Sequence, residues 1–133
     1  MTSFIFIINQ ENWEIIHRES IMGVSGRWGK WIYSKLQIGD KCVIYIKGIS
    51  CIAGIYKIKT LKKEVSVKWN TGTYGDIFKI DPVIIPKSPV PINNYIEKLN
   101  FVKNKKKWFS HFQHHKFFPD SDIEFLIQIL KET

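Results

Sequence analysis

The sequence predicts an α+β protein in which five or six short strands form a closed or nearly closed β-barrel, with helices at its two ends. Short apolar runs rich in Ile, Val and aromatic residues recur through the first two thirds of the chain and are separated by glycine-containing turns. Apolar residues at helical spacing follow the first run and return near the end. A chain of 133 residues is most simply one domain, residues 1–133.

The composition is that of a globular protein with an excess of positive charge. Hydrophobic residues make up 44% and charged residues 24% of the chain, and both values are ordinary. Because no apolar run is long enough to span a bilayer and no signal peptide is recognisable, we expect a cytoplasmic protein without a membrane partner. A net charge of +8 favours a polyanionic partner, unless a genome-wide preference for Lys explains it.

The first predicted element is a strand over residues 4–8, whose uninterrupted apolar character indicates burial. The strand ends at Asn9, and a helix follows it. Trp13 and Ile16 have helical spacing, and Glu11 lies in the first turn, where the helix dipole favours acids.

A glycine-containing loop is predicted over residues 22–26, continuing to Arg27 and Trp28. A strand, a short helix and a loop that returns to the end of the strand enclose one small pocket. Its lining combines the Asn9 carboxamide, backbone N–H groups and an aromatic ring. This mixture suits a planar polar ligand such as a nucleobase.

The middle of the chain predicts one helical segment and four strands. The ranges are a helical segment at 30–36, an antiparallel hairpin of 41–47 and 50–58, a half-buried strand at 64–69 and a strand at 77–85. Gly54 indicates a bulge or a close backbone approach, and Asp81-Pro82 indicates an edge or a bulge. The segment 70–76 is a polar loop that contains glycine.

The last third of the chain predicts two helices with a basic run between them. The first helix covers residues 92–99, with Asn93 or Asn94 as its cap, and the second runs from about residue 119 to 130. Basic residues concentrate at 103–107, directly before aromatic ones. Such interleaving is typical of a groove that follows a nucleic-acid backbone, although most charge runs are only solvated surfaces.

Neither the cysteines nor the histidines predict a metal site. Cys42 and Cys51 lie in strand-like runs, where reduced buried thiols are expected rather than a disulfide. His111, His114 and His115 match no established ligand spacing. Because no catalytic or phosphate-loop motif is recognisable either, we predict no cofactor and no enzymatic activity.

Three stretches resemble, in this order, the EVE-domain proteins: FIFIINQENWEIIHRESIMGVS, the hairpin GDKCVIYIKG…IAGIYKI, and LNFVKNKKKWFSHF…FFPDSDIEFLIQIL. The resemblance covers nearly the whole chain. It implies a PUA-like pseudo-β-barrel of five to six strands flanked by helices, close in fold to YTH domains. It also implies a pocket of the kind that accepts a modified nucleobase in YTH and in some EVE proteins.

The resemblance also assigns candidate ligand-binding residues. Asn9 lines the pocket floor, and the backbone of the wall offers hydrogen bonds. The wall consists of Met22, Gly23, Val24 and Ser25. Trp69 and Tyr74 correspond to positions of further cage aromatics. Relatives usually have Trp where this chain has Met22, so either Trp28 replaces that wall or the pocket is weaker or has a different specificity.

We therefore predict a module that binds nucleic acid, RNA rather than DNA, by capturing one exposed nucleobase, modified or unmodified. Asn9 and residues 23–25 read the base edge, and Trp28 and Tyr74 stack on the base, whereas Trp13 and Trp108 belong to the core. The candidate phosphate-binding residues are Arg27, Lys30, Lys103, Lys105, Lys106 and Lys107.

Two alternatives remain open from the sequence. One is a small metal-dependent enzyme acting on nucleic acid, with candidate residues His111, His114, His115, Asp120 and Asp122. The other is a module that binds a small molecule or a protein, in which the basic character is incidental.

Overall fold

One curled sheet, a six-strand half-barrel, organises the protein. The computed structural model describes residues 2–24, 26–62, 67–69, 72–74 and 76–133. The strands are β1 (Ser3–Ile8), β2 (Ile21–Val24), β3 (Lys41–Ile46), β4 (Cys51–Lys62), β5 (Val67–Trp69), β6 (Gly72–Tyr74), β7 (Asp76–Ile84), β8 (Val90–Pro91) and β9 (Lys116–Phe117). The helices are α1 (Gln10–Glu19), α2 (Gly26–Tyr33) and α3 (Asp120–Lys131), with 3-10 helices at Asn93–Lys98 and Trp108–His111.

The strand order along the sheet is β2-β7-β4-β3-β1-β9, and β8 adds to β4. β5 and β6 pair separately as a small hairpin. The helices flank this sheet, so the α+β class and the strand-rich half-barrel with helices around it are confirmed.

β1 is the strand that both hydrophobic cores share. Its six residues are all buried. Phe4, Phe6 and Ile8 pack in the core that includes residues of α1 and α2, while Ile5 and Ile7 pack in the core that includes α3. Because successive side chains point to opposite faces of a sheet, a strand covered on both faces must be apolar throughout.

The pairing of β1 with β3 is parallel, with Ser3 opposite Lys41 and Ile8 opposite Ile46. A parallel pair needs a crossover connection, and here α1, β2 and α2 provide it. Both strands therefore end at the same edge of the sheet, where the chain continues into Asn9 after β1 and into the β3–β4 turn after β3.

The predicted loop over residues 22–26 is wrong for its first part. α1 ends at Glu19, and Ser20 closes it in a left-handed conformation with φ of 56°. Residues 21–24 then form β2, which pairs with β7 and places Met22 opposite Phe78. A four-residue strand is too short to show a reliable alternation in the sequence.

The prediction that Arg27 and Trp28 lie in that loop is also wrong. α2 begins at Gly26, four residues before the predicted helical segment 30–36, so both side chains project from a helix. Gly29 lies on the buried side of α2 because a Cβ there would come within 3.0 Å of the Val24 backbone carbon. The glycine thus allows α2 to pack tightly on β2.

The β3–β4 hairpin and both predicted irregularities are confirmed. A Cβ on Gly54 would lie 3.1 Å from the carbonyl oxygen of Ile84, and the register of β4 shifts next to Gly54. A second shift, where Tyr56 pairs with Pro82, is the predicted bulge in β7. The two cysteines are free and buried, as expected.

Part of the predicted strand 64–69 and loop 70–76 lies outside the described residues, namely positions 64–66, 70–71 and 75. Within these ranges, Val67–Trp69 and Gly72–Tyr74 form the two strands of the small hairpin, so the second half of the predicted loop is extended backbone.

The closing helix α3 is confirmed, whereas the cap of the preceding one is corrected. Residues 93–98 form a 3-10 helix that follows Ile92, and neither Asn93 nor Asn94 caps it. The next turn is stabilised by a residue more than 20 positions later in the chain. The buried Asp122 carboxylate accepts the N–H groups of Asn100 (2.9 Å) and Phe101 (2.6 Å).

We expect Gly29→Ala to lower the free energy of unfolding by about 1–3 kcal/mol, although alanine ordinarily favours a helix, because the added Cβ overpacks the α2–β2 contact. Urea unfolding measures the change. Lys30→Ala, an exposed substitution in the same helix, serves as the control and should stay within about 0.5 kcal/mol of the wild type. Equal stability of Gly29→Ala and wild type would contradict the close packing.

Candidate functional site

A cavity of about 120 Å³ opens at the edge of the sheet where β1 and β3 end. Its lining comes from the end of β1, the first turn of α1, β2, the β3–β4 turn and the segment before β9. The lining residues are Ile7, Ile8, Asn9, Asn12, Met22, Gly23, Lys47 and His115. The polar groups of these side chains are two carboxamides, one imidazole and one ammonium group.

Asn9 connects the strand to the helix at the cavity. Its side-chain oxygen accepts the backbone N–H of Asn12 at 2.8 Å, which makes it the N-cap of α1. A cap of this kind satisfies one of the unpaired N–H groups of the first turn and orients the side chain. The cap therefore holds the Asn9 carboxamide at the cavity, beside the backbone of Asn12.

His115 lies against β1 on the other side of the cavity. Its Nδ1 accepts the backbone N–H of Ile7 at 3.1 Å, and its ring contacts that of Phe6 with centroids 5.2 Å apart. Since a backbone N–H can only donate, Nδ1 must be unprotonated, and the neutral ring carries its hydrogen on Nε2. The ring thus has a defined tautomer in which Nε2 is a donor.

Burial keeps this imidazole neutral. Desolvation, followed by the charges of His114 and Lys47, lowers the pKa of His115 from 6.5 to about 4. At neutral pH the cavity therefore carries one neutral donor ring beside one cation, the Lys47 ammonium group.

β2 forms the wall opposite β1. The Met22 side chain is buried and packs into the core with Phe78 and Ile8. Met22 and Gly23 both line the cavity, whereas Val24 is buried in the core. Ser25, the last residue of the predicted wall, lies outside the described residues.

The predicted stacking residues lie elsewhere or are described by backbone alone. Trp28 projects from α2 and stacks on His114, with ring centroids 5.3 Å apart and planes 20° from parallel. It is not among the residues that line the cavity. Trp69 and Tyr74 belong to the β5–β6 hairpin, of which the structure gives the strand pairing.

The core assignments of two other tryptophans agree with the packing. Trp13 is partly buried against the core next to α1, and Trp108 against the core next to α3.

The predicted phosphate-binding residues fall into two groups. Arg27 and Lys30 are exposed on α2, and Lys103, Lys106 and Lys107 are exposed around the second 3-10 helix. Lys105 differs from them, because its ammonium group donates to the carbonyl oxygens of Ile96 (2.9 Å) and Leu99 (2.7 Å). Its charge thereby stabilises the end of the first 3-10 helix.

The histidines and aspartates of the alternative metal site have separate partners. His111 accepts the Asn104 N–H, Asp120 accepts the Ser3 hydroxyl, and Asp122 holds the turn before the basic run. His114 and His115 lie on the Trp28 ring and at the cavity respectively. Within the described residues, no group of three His, Cys, Asp or Glu side chains has the arrangement of a metal site.

The sequence analysis did not assign Asn12, Lys47 or His115 to the pocket. The position of Asn12 could have been predicted, because Asn12 lies about one helical turn after Asn9 and therefore on the same side of α1. The position of Lys47 depends on the parallel β1–β3 pairing, which places this residue directly beside the end of β1. There its N–H donates to the Ile8 carbonyl at 2.8 Å. His115 has no local signal, since β9 pairs with β1 from more than 100 positions away.

Comparison with known proteins gives the family. The UPF0310 protein PH1033 of Pyrococcus horikoshii is 31% identical over 148 aligned positions, covering 98% of this chain and 99% of that protein. The chain belongs to the UPF0310 family. A second member, PYRAB08750 of Pyrococcus abyssi, is 31% identical over 124 positions, covering 84% of this chain and 85% of the relative. No protein-family model matches the sequence.

Solved structures place this UPF0310 protein in the YTH fold. The Pho92 YTH domain, solved in complex with m6A, matches with a TM-score of 0.74 at 17% identity, covering 98% of this chain and 86% of that one. The YTH domain of Zygosaccharomyces rouxii MRB1, in complex with N6-methyladenosine RNA, also matches at 0.74, with 12% identity and the same coverage. At these identities the likeness concerns the fold.

The helices in the described part of the chain are all too short or too polar to cross a membrane.

We expect Asn9→Ala to lower the free energy of unfolding by about 1 kcal/mol, because α1 loses its N-cap. Asn9→Ser and Asn9→Asp should stay close to the wild type, since both residues cap helices well. Chemical denaturation measures all three. If Asn9→Ala were as stable as Asn9→Ser, the cap would not contribute to stability.

The neutral His115 predicts a pH dependence of stability. Its folded-state pKa of about 4 lies below the ordinary value of 6.5, so between these values the unfolded chain binds a proton that the folded chain does not. Stability is therefore complete above about pH 6.5 and is lost as the pH falls toward 4. Thermal melts over this range should show a shallower loss for His115→Gln than for the wild type, and identical slopes would refute the assignment.

Proposed function

We propose that this UPF0310 protein is a single EVE-type, PUA-like domain that binds RNA by enclosing one exposed nucleobase in the cavity at the end of β1. The observation that carries the proposal is the donor set of the cavity, in which one imidazole of defined tautomer and two carboxamides surround a small space. Such groups match the donor and acceptor edge of a base.

The size of the cavity suits one planar ring. A closed apolar cavity of about 150 Å³ accepts a benzene molecule, and this cavity, of about 120 Å³, is open on one side. A six-membered ring would fill it, and the remainder of a nucleotide would extend through the opening.

The lining would make different contacts with the edge and with the face of a bound base. The edge would meet the Nε2–H donor of His115 and the carboxamide of Asn9. The face would contact Met22, whose polarizable thioether packs well on aromatic rings. Met22 in this role replaces the tryptophan that the resemblance to EVE proteins would lead one to expect.

The surroundings of the cavity favour an anionic polymer. Lys47, a cationic residue, is part of the lining, and the chain carries a net charge of +8. Exposed Lys103, Lys106 and Lys107 extend the basic surface to another part of the molecule and would contact phosphates. RNA is preferred to DNA because two solved structures with this fold are described as complexes with N6-methyladenosine or RNA that contains it.

A binding role fits this cavity better than a catalytic one. A general base needs a free lone pair and a pKa near the working pH. The Nδ1 lone pair of His115 already accepts the Ile7 N–H, and the pKa of His115 is about 4. At neutral pH this ring donates a hydrogen bond and does not take up a proton.

A nucleoside screen tests the proposal, because nucleosides lack phosphates and therefore isolate the cavity from the basic surface. Tryptophan fluorescence is measured against unmodified and methylated adenosine and cytidine, as ribo- and deoxynucleosides. We expect one nucleoside to bind selectively and independently of salt, whereas RNA containing the same base binds more weakly as salt rises.

His115→Phe keeps the ring shape and removes the donor, so it should weaken nucleoside binding about tenfold, which corresponds to about 1.4 kcal/mol. The matched control is His111→Phe, which also removes an imidazole that accepts a backbone N–H but lies outside the cavity lining. Circular dichroism confirms that both variants are folded. Equal affinities of the two variants, or RNA binding without any nucleoside binding, would refute base capture.

A further inference from the structure

A row of exposed aromatic rings crosses from α2 to β9. Trp28 and Trp31 are one helical turn apart on α2 and contact each other edge to face at 6.2 Å. Trp31 contacts Phe117 of β9 at 5.5 Å, and Phe117 contacts the buried Phe4 at 5.1 Å. The residue exposures are 54% for Trp28, 39% for Trp31 and 45% for Phe117.

We call Trp28, Trp31 and Phe117 the aromatic row. Together they expose more apolar surface than core packing requires. Exposing three large aromatic rings side by side is costly unless something covers them, because each buries a large apolar area on contact. Phe109 is also exposed, but its ring contacts only the half-buried Trp108 among the described residues, so it forms no comparable surface.

The aromatic row lies directly beside the candidate cavity. Two neighbouring histidines connect them: His115 lines the cavity, and His114 stacks on Trp28. The residue that lines the cavity and the residue that stacks on Trp28 are therefore adjacent in the chain, with Cα atoms about 3.8 Å apart.

The positive charges around the aromatic row favour an anionic ligand. α2 carries Arg27 and Lys30, both exposed and adjacent in sequence to Trp28 and Trp31, and it carries no acidic residue. Lys47 adds a further cation at the cavity side. Aromatic faces interleaved with cations are the arrangement that single-stranded nucleic acids require, with bases on the rings and phosphates on the cations.

We infer that the aromatic row, with Trp28 at the end that contacts His114, binds the nucleotide that flanks the captured base. Trp28 stacks on this flanking base, and Arg27 and Lys30 contact its phosphates. The inference rests on the proposed function, because the captured base sets the path of the strand. It gives Trp28 a role that differs from the one predicted from the sequence, in which the same ring stacks on the captured base.

If the aromatic row binds the flanking nucleotide, a substitution in the row should affect the affinity for a longer strand but not the affinity for a nucleoside. In the wild type, a trinucleotide with the preferred base in the middle should bind more tightly than the nucleoside alone. Trp28→Ala should weaken trinucleotide binding roughly 5- to 150-fold, the range for loss of one stacked base, and leave nucleoside binding unchanged. Fluorescence anisotropy of a labelled trinucleotide measures the first affinity, and calorimetry measures the second.

The matched control is Phe109→Ala, which removes another exposed aromatic ring far from the row in sequence and should change neither affinity. Lys30→Gln should lower the salt dependence of trinucleotide binding by about one ion, whereas Lys98→Gln, exposed on the first 3-10 helix, should not.

Three outcomes would overturn the inference. In the first, Trp28→Ala weakens the nucleoside and the trinucleotide equally, so that Trp28 belongs to the pocket. In the second, it weakens neither. In the third, sedimentation shows a wild-type dimer that Trp28→Ala converts to a monomer, so that a second copy of the chain covers the row.

Failure of the proposed function gives a different result. If no nucleoside binds but an unmodified single strand still binds in a Trp28-dependent manner, base capture is refuted while the stacking role of the row is supported.

Discussion

The parallel hydrogen bonding between β1 and β3 is the interaction on which the other features depend. It aligns Ile8 with Ile46, so both strands end at one edge of the sheet and the chain leaves that edge in two directions. One exit forms the cap of α1 at Asn9, and the other forms the turn that carries Lys47. Ligands commonly bind outside the carboxyl ends of parallel strands, because loops and helix N-termini converge there.

β1 can occupy this central position because it is apolar on both faces. Its even-numbered residues pack toward α1 and α2 and its odd-numbered residues toward α3. A strand with one polar face would leave one of the two cores incomplete. The same burial leaves the Ile7 N–H with His115 as its partner, so the strand that supports the cores also determines the tautomer of the cavity imidazole.

His114 and His115 show how one short segment serves two surfaces. The His115 side chain lines the cavity, and the His114 ring stacks on Trp28. The segment leads into β9, whose Phe117 continues the aromatic row. The cavity and the row are therefore connected through two consecutive residues of the chain.

Predictions based on local signals succeeded where the local physics was decisive. The end of β1 before Asn9, the close approach at Gly54 and the start of α3 after Pro119 all follow from short-range geometry. Residues 22–24 of β2 were predicted as a loop because a four-residue segment containing glycine has no clear period, and its extended form depends on pairing with β7. Trp28 was assigned to the same loop, but it lies in α2.

The sequence by itself determined the α+β class, the apolar β1, the helix that follows it and the positive charge, because each depends on composition or on residues that are close together in the chain. Only the tertiary structure decided which distant groups meet at the cavity. Lys47 arrives through the parallel register, and His115 through a pairing across more than 100 positions. The physical reason is that strand pairing is satisfied by backbone groups common to all residues, so the sequence carries little record of which strands pair.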